Sequence, residues 1–198
     1  MSDLNKKKLE NLIKESNKTK TDLNKDLGNI KTAINIISNC LLNGGKILLC
    51  GNGGSAADAQ HFAAEFLVRL KPNVNRKPIP AISLATDTST LTAMGNDYSF
   101  EEIFSRPLLA LANQNDVLII FSTSGNSKNI IKVLKTAKKE NIKSISFLGN
   151  RGGLAKKFSD LNLIIKSKNT ARIQENHIFL GHLIFEQVER ILLKKKYI

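Results

Sequence analysis

Three histidines occur in this chain, and one of them, His61, stands four residues before Glu65 in the run His-Phe-Ala-Ala-Glu. Residues four apart on a helix share a face, so this spacing sets an imidazole beside a carboxylate. A Glu within an otherwise apolar stretch needs a reason. One reason is a general base, and the other is a surface carboxylate with a partner. The same two residues could supply two metal ligands, although two alone fall short of a protein zinc site. A second group gathers near the C-terminus: Gln174, Glu175, His177 and His182. Gln174 and His182 lie two helical turns apart on neighbouring faces, while His177 points elsewhere on a helical wheel. Spacing does not decide which of these histidines works, and a lone histidine on a helix is more often structural.

Two loops could hold an anion. Gly51-Asn-Gly-Gly-Ser55 follows the apolar run at 46–50. Its glycines let backbone approach a ligand closely. Ser122-Thr-Ser-Gly-Asn-Ser127 follows the apolar run at 117–121. It offers four hydroxyls ahead of a helix, and free N–H groups at a helix start bind anions. Hydroxyls without a nearby Lys suit a phosphate monoester held by hydrogen bonds. Gly51-x-Gly53-x-x-Ala56 meets a dinucleotide fingerprint only loosely, because the nearest suitable acidic residue, Asp87, falls well beyond the usual spacing. No Gly-Lys-Ser/Thr follows, which excludes a P-loop. Thr86-Asp87-Thr88 and Gly95-Asn-Asp97 add polar groups nearby. Hydroxyl loops, a carboxylate and a histidine together fit proton transfer next to a carbonyl.

These residues need elements to position them. Leu4, Leu9, Leu12 and Ile13 predict an amphipathic helix, and Ile30, Ala33, Ile34, Ile37, Leu41 and Leu42 predict a second. Gly44 and Gly45 end it. Short apolar runs at 46–50, 81–85, 117–121, 142–148 and 161–165 read as buried strands. A helix capped by Ser55 is expected to about Leu70, with others at 88–94, 101–113, 127–140, 152–158 and 170–195. Strands alternating with helices imply an α/β fold: a five-stranded parallel sheet flanked by helices, of the flavodoxin-like kind, with N-terminal helices and a long C-terminal helix. Residues 1–43 form the N-terminal helices and 44–198 the sheet domain, with no linker dividing them.

Composition narrows the partners. A formal net charge of +13 would attract anions. The lysines are nevertheless spread along the chain, and no basic stripe interleaved with aromatics marks a nucleic-acid site. Most of the excess reads as a Lys-rich composition. Cys40 and Cys50 lie in apolar contexts without metal-binding spacing and read as small buried hydrophobes. No apolar run approaches the ~20 residues of a membrane span, and the N-terminus lacks an apolar signal segment. A cytoplasmic protein without membrane or nucleic-acid partners is expected.

The stretch Gly51-Asn-Gly-Gly-Ser-Ala-Ala-Asp-Ala-Gln-His-Phe-Ala-Ala-Glu65 resembles the signature of the phosphoheptose isomerase family, within the sugar isomerase (SIS) domain superfamily. Gly95-Asn-Asp97, Phe104-Ser-Arg106, Asp116-Val-Leu118, Ser122-Thr-Ser-Gly-Asn-Ser127 and Ala171-Arg-Ile-Gln-Glu175 continue the likeness in order. It spans roughly residues 25–192. The polar loop at 71–78 belongs to a variable part of that family.

The resemblance implies conversion of sedoheptulose 7-phosphate to D-glycero-D-manno-heptopyranose 7-phosphate, the first step towards a nucleotide-activated heptose. It implies Glu65 as general base and His182 as its acid–base partner. Substrate contacts carry over to Asn52, Gly53, Gly54, Ser55, Glu65, Asn96, Asp97, Ser122, Thr123, Ser124, Ser127 and Gln174. It further implies one zinc per subunit on His61, Glu65, Gln174 and His182, and a homotetramer with active sites at subunit interfaces. Two other readings share parts of the pattern. A non-catalytic relative, DiaA, binds the replication initiator DnaA, but lacks the histidine matching His182. A phosphosugar-sensing regulatory module would carry a DNA-binding extension, which is not visible here.

Overall fold

The computed structural model describes residues 5–198; Leu4, the first residue of the expected N-terminal stripe, lies outside them. Helix α1 (Lys6–Asp22) is capped by Asn5, whose side chain accepts from the Lys7 N–H at 3.0 Å. A single 3₁₀ turn at Leu23–Asp26 leads into α2 (Leu27–Leu42). Then come β1 (Ile47–Gly51), α3 (Gly54–Leu67), β2 (Ala81–Ser83), α4 (Thr88–Asp97), α5 (Ser105–Leu111), β3 (Val117–Ser122), α6 (Lys128–Lys139), β4 (Lys143–Gly149), β5 (Leu161–Ile165) and α7 (Thr170–Lys194).

The five strands are all parallel, in the order β2-β1-β3-β4-β5. Strand residues alternate between two apolar layers, because successive side chains leave opposite faces of a sheet. Ile47, Leu49, Ile119, Phe121, Ile145 and Phe147 pack with α2, α3 and α7 on one face. Leu48, Cys50, Leu118, Ile120 and Leu148 pack with α5 and α6 on the other. Cys40 and Cys50 are both buried and free, and belong to opposite layers. Burial pushes the Cys40 thiol up to about 12, and raises Cys50 as well.

Four sequence expectations need correction. The segment at 152–158 holds only a 3₁₀ turn, Ala155–Lys157. Gly152 and Gly153 both take positive φ, 85° and 56°, which a right-handed helix excludes. The expected helix at 101–113 is divided into a 3₁₀ turn at Phe100–Glu102 and α5. The cap of α3 falls on Gly53, at φ 55°, rather than on Ser55, whose side chain is buried at the second helical position. The helix also ends at Leu67, short of Leu70. The amphipathic stripe of α1 faces outward within the chain: Leu9, Leu12 and Ile13 are 45%, 38% and 60% exposed.

Candidate active site

In a doubly wound sheet, ligands collect beyond the carboxyl ends of the strands, at the point where strand order reverses. Here β1 is flanked by β2 and β3, so the reversal lies between β1 and β3. Gly51 at the end of β1 is in register with Phe121, one residue before Ser122. The two loops singled out in the sequence therefore emerge side by side at that point.

The first loop is folded too tightly for side chains. A Cβ on Gly51 would lie 2.6 Å from the Ser55 carbonyl carbon and 2.8 Å from its Cβ. A Cβ on Gly54 would collide with Nε2 of Gln174 and lie 3.2 Å from its Cδ. Gln174 thus reaches across from α7 to the glycine loop. In the second loop, Ser122 Oγ accepts from the Gly125 N–H and Ser124 Oγ from the Asn126 N–H, both at 3.1 Å. Two of the four hydroxyls therefore shape the loop. Ser127 is the N-cap of α6, yet its side chain makes no capping hydrogen bond. Its hydroxyl and the first N–H groups of α6 stay available to an anion.

The glycine loop turns directly into α3, which carries His61 and Glu65. Helix α7 lies against α3 because residue 181 is Gly: a Cβ there would overlap the Phe62 ring. That close approach brings His182 to His61, with Nε2 atoms 2.9 Å apart. One ring donates and the other accepts. His61 Nε2 is 4.0 Å from Glu65 Oε1. Both imidazoles lean edge-on against Phe62, with centroids 5.2 and 5.4 Å away. A carboxylate and two imidazoles, partly exposed on α3 and α7, can pass protons among the carbon and oxygen atoms of a carbonyl compound.

His177 has a different fate. It is fully buried against Phe121 and Phe147, and among the described residues its ring nitrogens have only a poorly aligned contact with the Leu148 backbone. Burial pulls its pKa down to about 4, so the ring is neutral at pH 7. The structure thereby separates His182 from His177, which spacing left open.

Asn96 and Asp97 lie at the end of α4, where the Asn96 amide donates to Asp97 Oδ1 at 2.8 Å. Among the described residues no hydrogen bond joins them to the loops or to Glu65, and α4 has no buried residue. Asp87 caps α4 by accepting from the Ser89 N–H, a structural task. Two surface grooves, ≈ 510 Å³ beside α1 and ≈ 480 Å³ along α6, lie away from Glu65 and His182.

Sequence reasoning overlooked three residues. Asn129, at the start of α6, exchanges a pair of amide hydrogen bonds with Asn52. Arg76, in the loop read as merely polar, has a fully buried side chain. It donates to the Glu65 and Phe66 carbonyls at 2.8 and 3.0 Å and to Glu189 at 2.7 Å. It caps the C-terminus of α3 one turn beyond His61. Asp58 is 7% exposed, Oδ2 lacks a partner, and burial raises its carboxyl to about 6. Nothing in the local sequence marks Asn129 or Arg76, because their partners are distant in the chain.

As for a metal, no cluster of three His, Cys, Asp or Glu side chains that could hold an ion occurs among the described residues. By donor type, the facing Nε2 atoms of His61 and His182 with the Glu65 carboxylate suit zinc. The same facing nitrogens also satisfy each other as a neutral hydrogen bond.

The model of the SIS domain family matches residues 11–149. A phosphoheptose isomerase of Campylobacter concisus is 51% identical over 163 residues, covering 82% of this chain and 85% of that protein. Among solved structures, phosphoheptose isomerase GmhA from Neisseria gonorrhoeae superposes with TM-score 0.86 at 41% identity, covering 93% of this chain and 98% of that one. The phosphoheptose isomerase from Francisella tularensis superposes with TM-score 0.89 at 35% identity, covering 96% and 100%. These likenesses favour neither the adaptor nor the sensor reading. The chain belongs to the SIS domain family and, within it, to the phosphoheptose isomerases.

Proposed function

We propose that this protein is an aldose–ketose isomerase that converts sedoheptulose 7-phosphate to D-glycero-D-manno-heptopyranose 7-phosphate, with Glu65 and His182 as its acid–base pair. The observation that carries this reading is the meeting of Glu65, His61 and His182 on α3 and α7, two helices joined at their starts by the contact of Gln174 with the glycine loop at the β1/β3 reversal.

The phosphate binds at residues 122–127, taking N–H groups at the start of α6 and the hydroxyls of Thr123 and Ser127. The glycine loop and Gln174 flank the sugar. Glu65 removes a proton from C1 of the open-chain ketose, leaving an enediol, and a proton returns to C2. His182 moves the hydroxyl proton from O1 to O2, so that the carbonyl passes from C2 to C1. His61 holds the His182 ring through their 2.9 Å contact.

Zinc fits this reading through His61, Glu65, Gln174 and His182. When bound, it would supply a Lewis acid for the carbonyl oxygen. A homotetramer with sites at its interfaces is supported by the exposed Leu9, Leu12 and Ile13 and by α4, which packs Leu91 and Met94 on the core but has no fully buried residue within one chain. Such an assembly is where Asn96 and Asp97 would meet substrate. The reaction suits a cytoplasmic enzyme supplying heptose for a surface glycan.

Glu65→Gln and His182→Gln should each lower turnover of sedoheptulose 7-phosphate by ~10²-fold or more, with the fold intact. Full activity in either variant refutes the pair.

A further inference from the structure

The side chains of Asn52 and Asn129 face each other as a closed amide pair. Asn52 Nδ2 donates to Asn129 Oδ1 at 2.9 Å, and Asn129 Nδ2 donates to Asn52 Oδ1 at 2.8 Å. Asn129 Oδ1 also accepts from the Ile130 N–H at 2.9 Å. Asn129 is 2% exposed. The pair joins the glycine loop after β1 to the first turn of α6, which follows the hydroxyl loop after β3. It spans the gap at the strand-order reversal, where a ligand must sit between the two loops.

One donor hydrogen and one acceptor lone pair of the Asn52 amide are used in the pair, which leaves one of each for a ligand. The amide therefore ties the two loops together whether or not it also meets substrate.

We propose that Asn129 is a positioning residue that, through its amide pair with Asn52, fixes the spacing between the phosphate loop and the sugar-facing glycine loop. The inference rests on the phosphosugar reading of those loops. A sugar phosphate spans both loops and needs their separation to be right. Inorganic phosphate needs only the loop at 122–127. Losing the pair opens two hydrogen bonds and strands a buried amide, which should weaken the two-loop ligand about tenfold.

The test measures KM for sedoheptulose 7-phosphate and competitive inhibition by inorganic phosphate in four variants. These are Asn52→Ala, Asn129→Ala, Asn129→Ser and the double Asn52→Ala/Asn129→Ala. Ser at 129 can still accept from the Ile130 N–H but cannot reach Asn52, so it keeps the test alive if Ala disturbs α6. Each single variant should raise KM about tenfold. The double should lose no more than the worse single, and phosphate inhibition should stay near the wild-type value. A purely structural role would lower the melting temperature while leaving KM alone, and that result overturns the proposal. So does a raised KM in Asn52→Ala with normal KM in both Asn129 variants, since Asn52 would then touch the sugar itself. Multiplying losses in the double, or phosphate inhibition weakened in step with KM, overturn it too. The underlying loop reading is checked separately with Thr123→Ala/Ser127→Ala. If that variant keeps both wild-type KM and phosphate inhibition, the loops do not hold phosphosugar and the proposal falls with them.

Discussion

Replacing Gly181 by Ala tests whether the contact between α3 and α7 sets the site. In isolation the substitution favours the folded chain. Gly181 lies inside the 25-residue helix α7, where Ala is intrinsically better by about 1 kcal/mol. The surroundings argue the other way. The added methyl would overlap the Phe62 ring, lying 2.5 and 2.7 Å from its Cε2 and Cε1. Ordinary carbon contacts begin near ~3.5 Å, so ring and helix must separate by about an ångström. Phe62 cannot yield, because it is fully buried between Phe121, at 5.7 Å, and Phe185, at 4.8 Å. Overpacking of this kind costs about 1–3 kcal/mol, or more where both neighbours are rigid. The net expectation is a loss of about 1–2 kcal/mol, read as a lower urea midpoint with unchanged slope. Activity should suffer more than stability. His182 follows Gly181 directly and meets His61 at 2.9 Å, so separating the helices by about an ångström moves the acid–base pair out of register. A drop in kcat of ~10²-fold is expected in the folded fraction. Phe62→Leu in the same chain should recover part of it by making room. If Gly181→Ala is as stable and as active as the wild type, helix propensity has outweighed packing and the argument fails.

Three further outcomes follow from buried charge and from the donor set. Arg76→Met should destabilise by about 3–5 kcal/mol in chemical denaturation, because it leaves Glu189, 2% exposed, as an uncompensated buried carboxylate; Arg76→Met/Glu189→Leu should recover most of that loss. Acid stability should show two opposing terms. Burial lowers His177 from 6.5 to about 4, so between those values the unfolded chain binds the extra proton and stability falls as pH falls. Burial raises Asp58 from 3.8 to about 6, so there the folded chain binds the extra proton and stability rises as pH falls. Asp58→Asn should therefore be more stable than wild type at pH 7 by up to about 3 kcal/mol, lose that advantage below pH 4, and show a steeper acid decline between pH 6 and 4 in denaturation midpoints. Protein purified without chelator should contain about one zinc per chain by elemental analysis. Chelation should lower activity and added zinc restore it; unchanged activity in metal-free protein would count against a catalytic metal.

The central strands were legible because a parallel sheet covered on both faces needs apolar runs, and β1 and β3 are such runs. The loops were legible because Gly51, Gly53 and Gly54 have few uses other than tight turns and close approach. What stayed hidden depends on partners far away in sequence. The pairing of Asn52 with Asn129 crosses 77 residues, and that of Arg76 with Glu189 crosses 113. No local pattern encodes either. The segment at 152–158 misled because its apolar spacing resembles a helix, while Gly152 and Gly153 are there for another purpose. They let the β4–β5 connection pack directly on Gly125, where a Cβ would lie 2.6 Å from the Gly152 carbonyl carbon. The hydroxyl loop is thus backed by glycine on both sides. The α1 stripe was read correctly as amphipathic, but periodicity names only the apolar face and not what covers it.

His177 and His182 show most directly what tertiary structure adds. Five residues apart on one helix, the two point to different faces, and spacing alone does not say which face carries the chemistry. The sheet distinguishes them. The face of α7 bearing His177 lies over Phe121 and Phe147, where a charged imidazole has no solvent and only the Leu148 backbone to offset its burial. The ring is therefore held neutral and out of reach of substrate. The face bearing His182 turns towards α3, and only the missing side chain at Gly181 lets it approach His61. An acid–base histidine needs access, a partner and a pKa left free to move with its surroundings. Within α7, His182 meets the first two conditions and His177 meets none. The difference in their surroundings is set by the glycine next to His182 and by the phenylalanines around His177, not by either histidine's own neighbours in sequence.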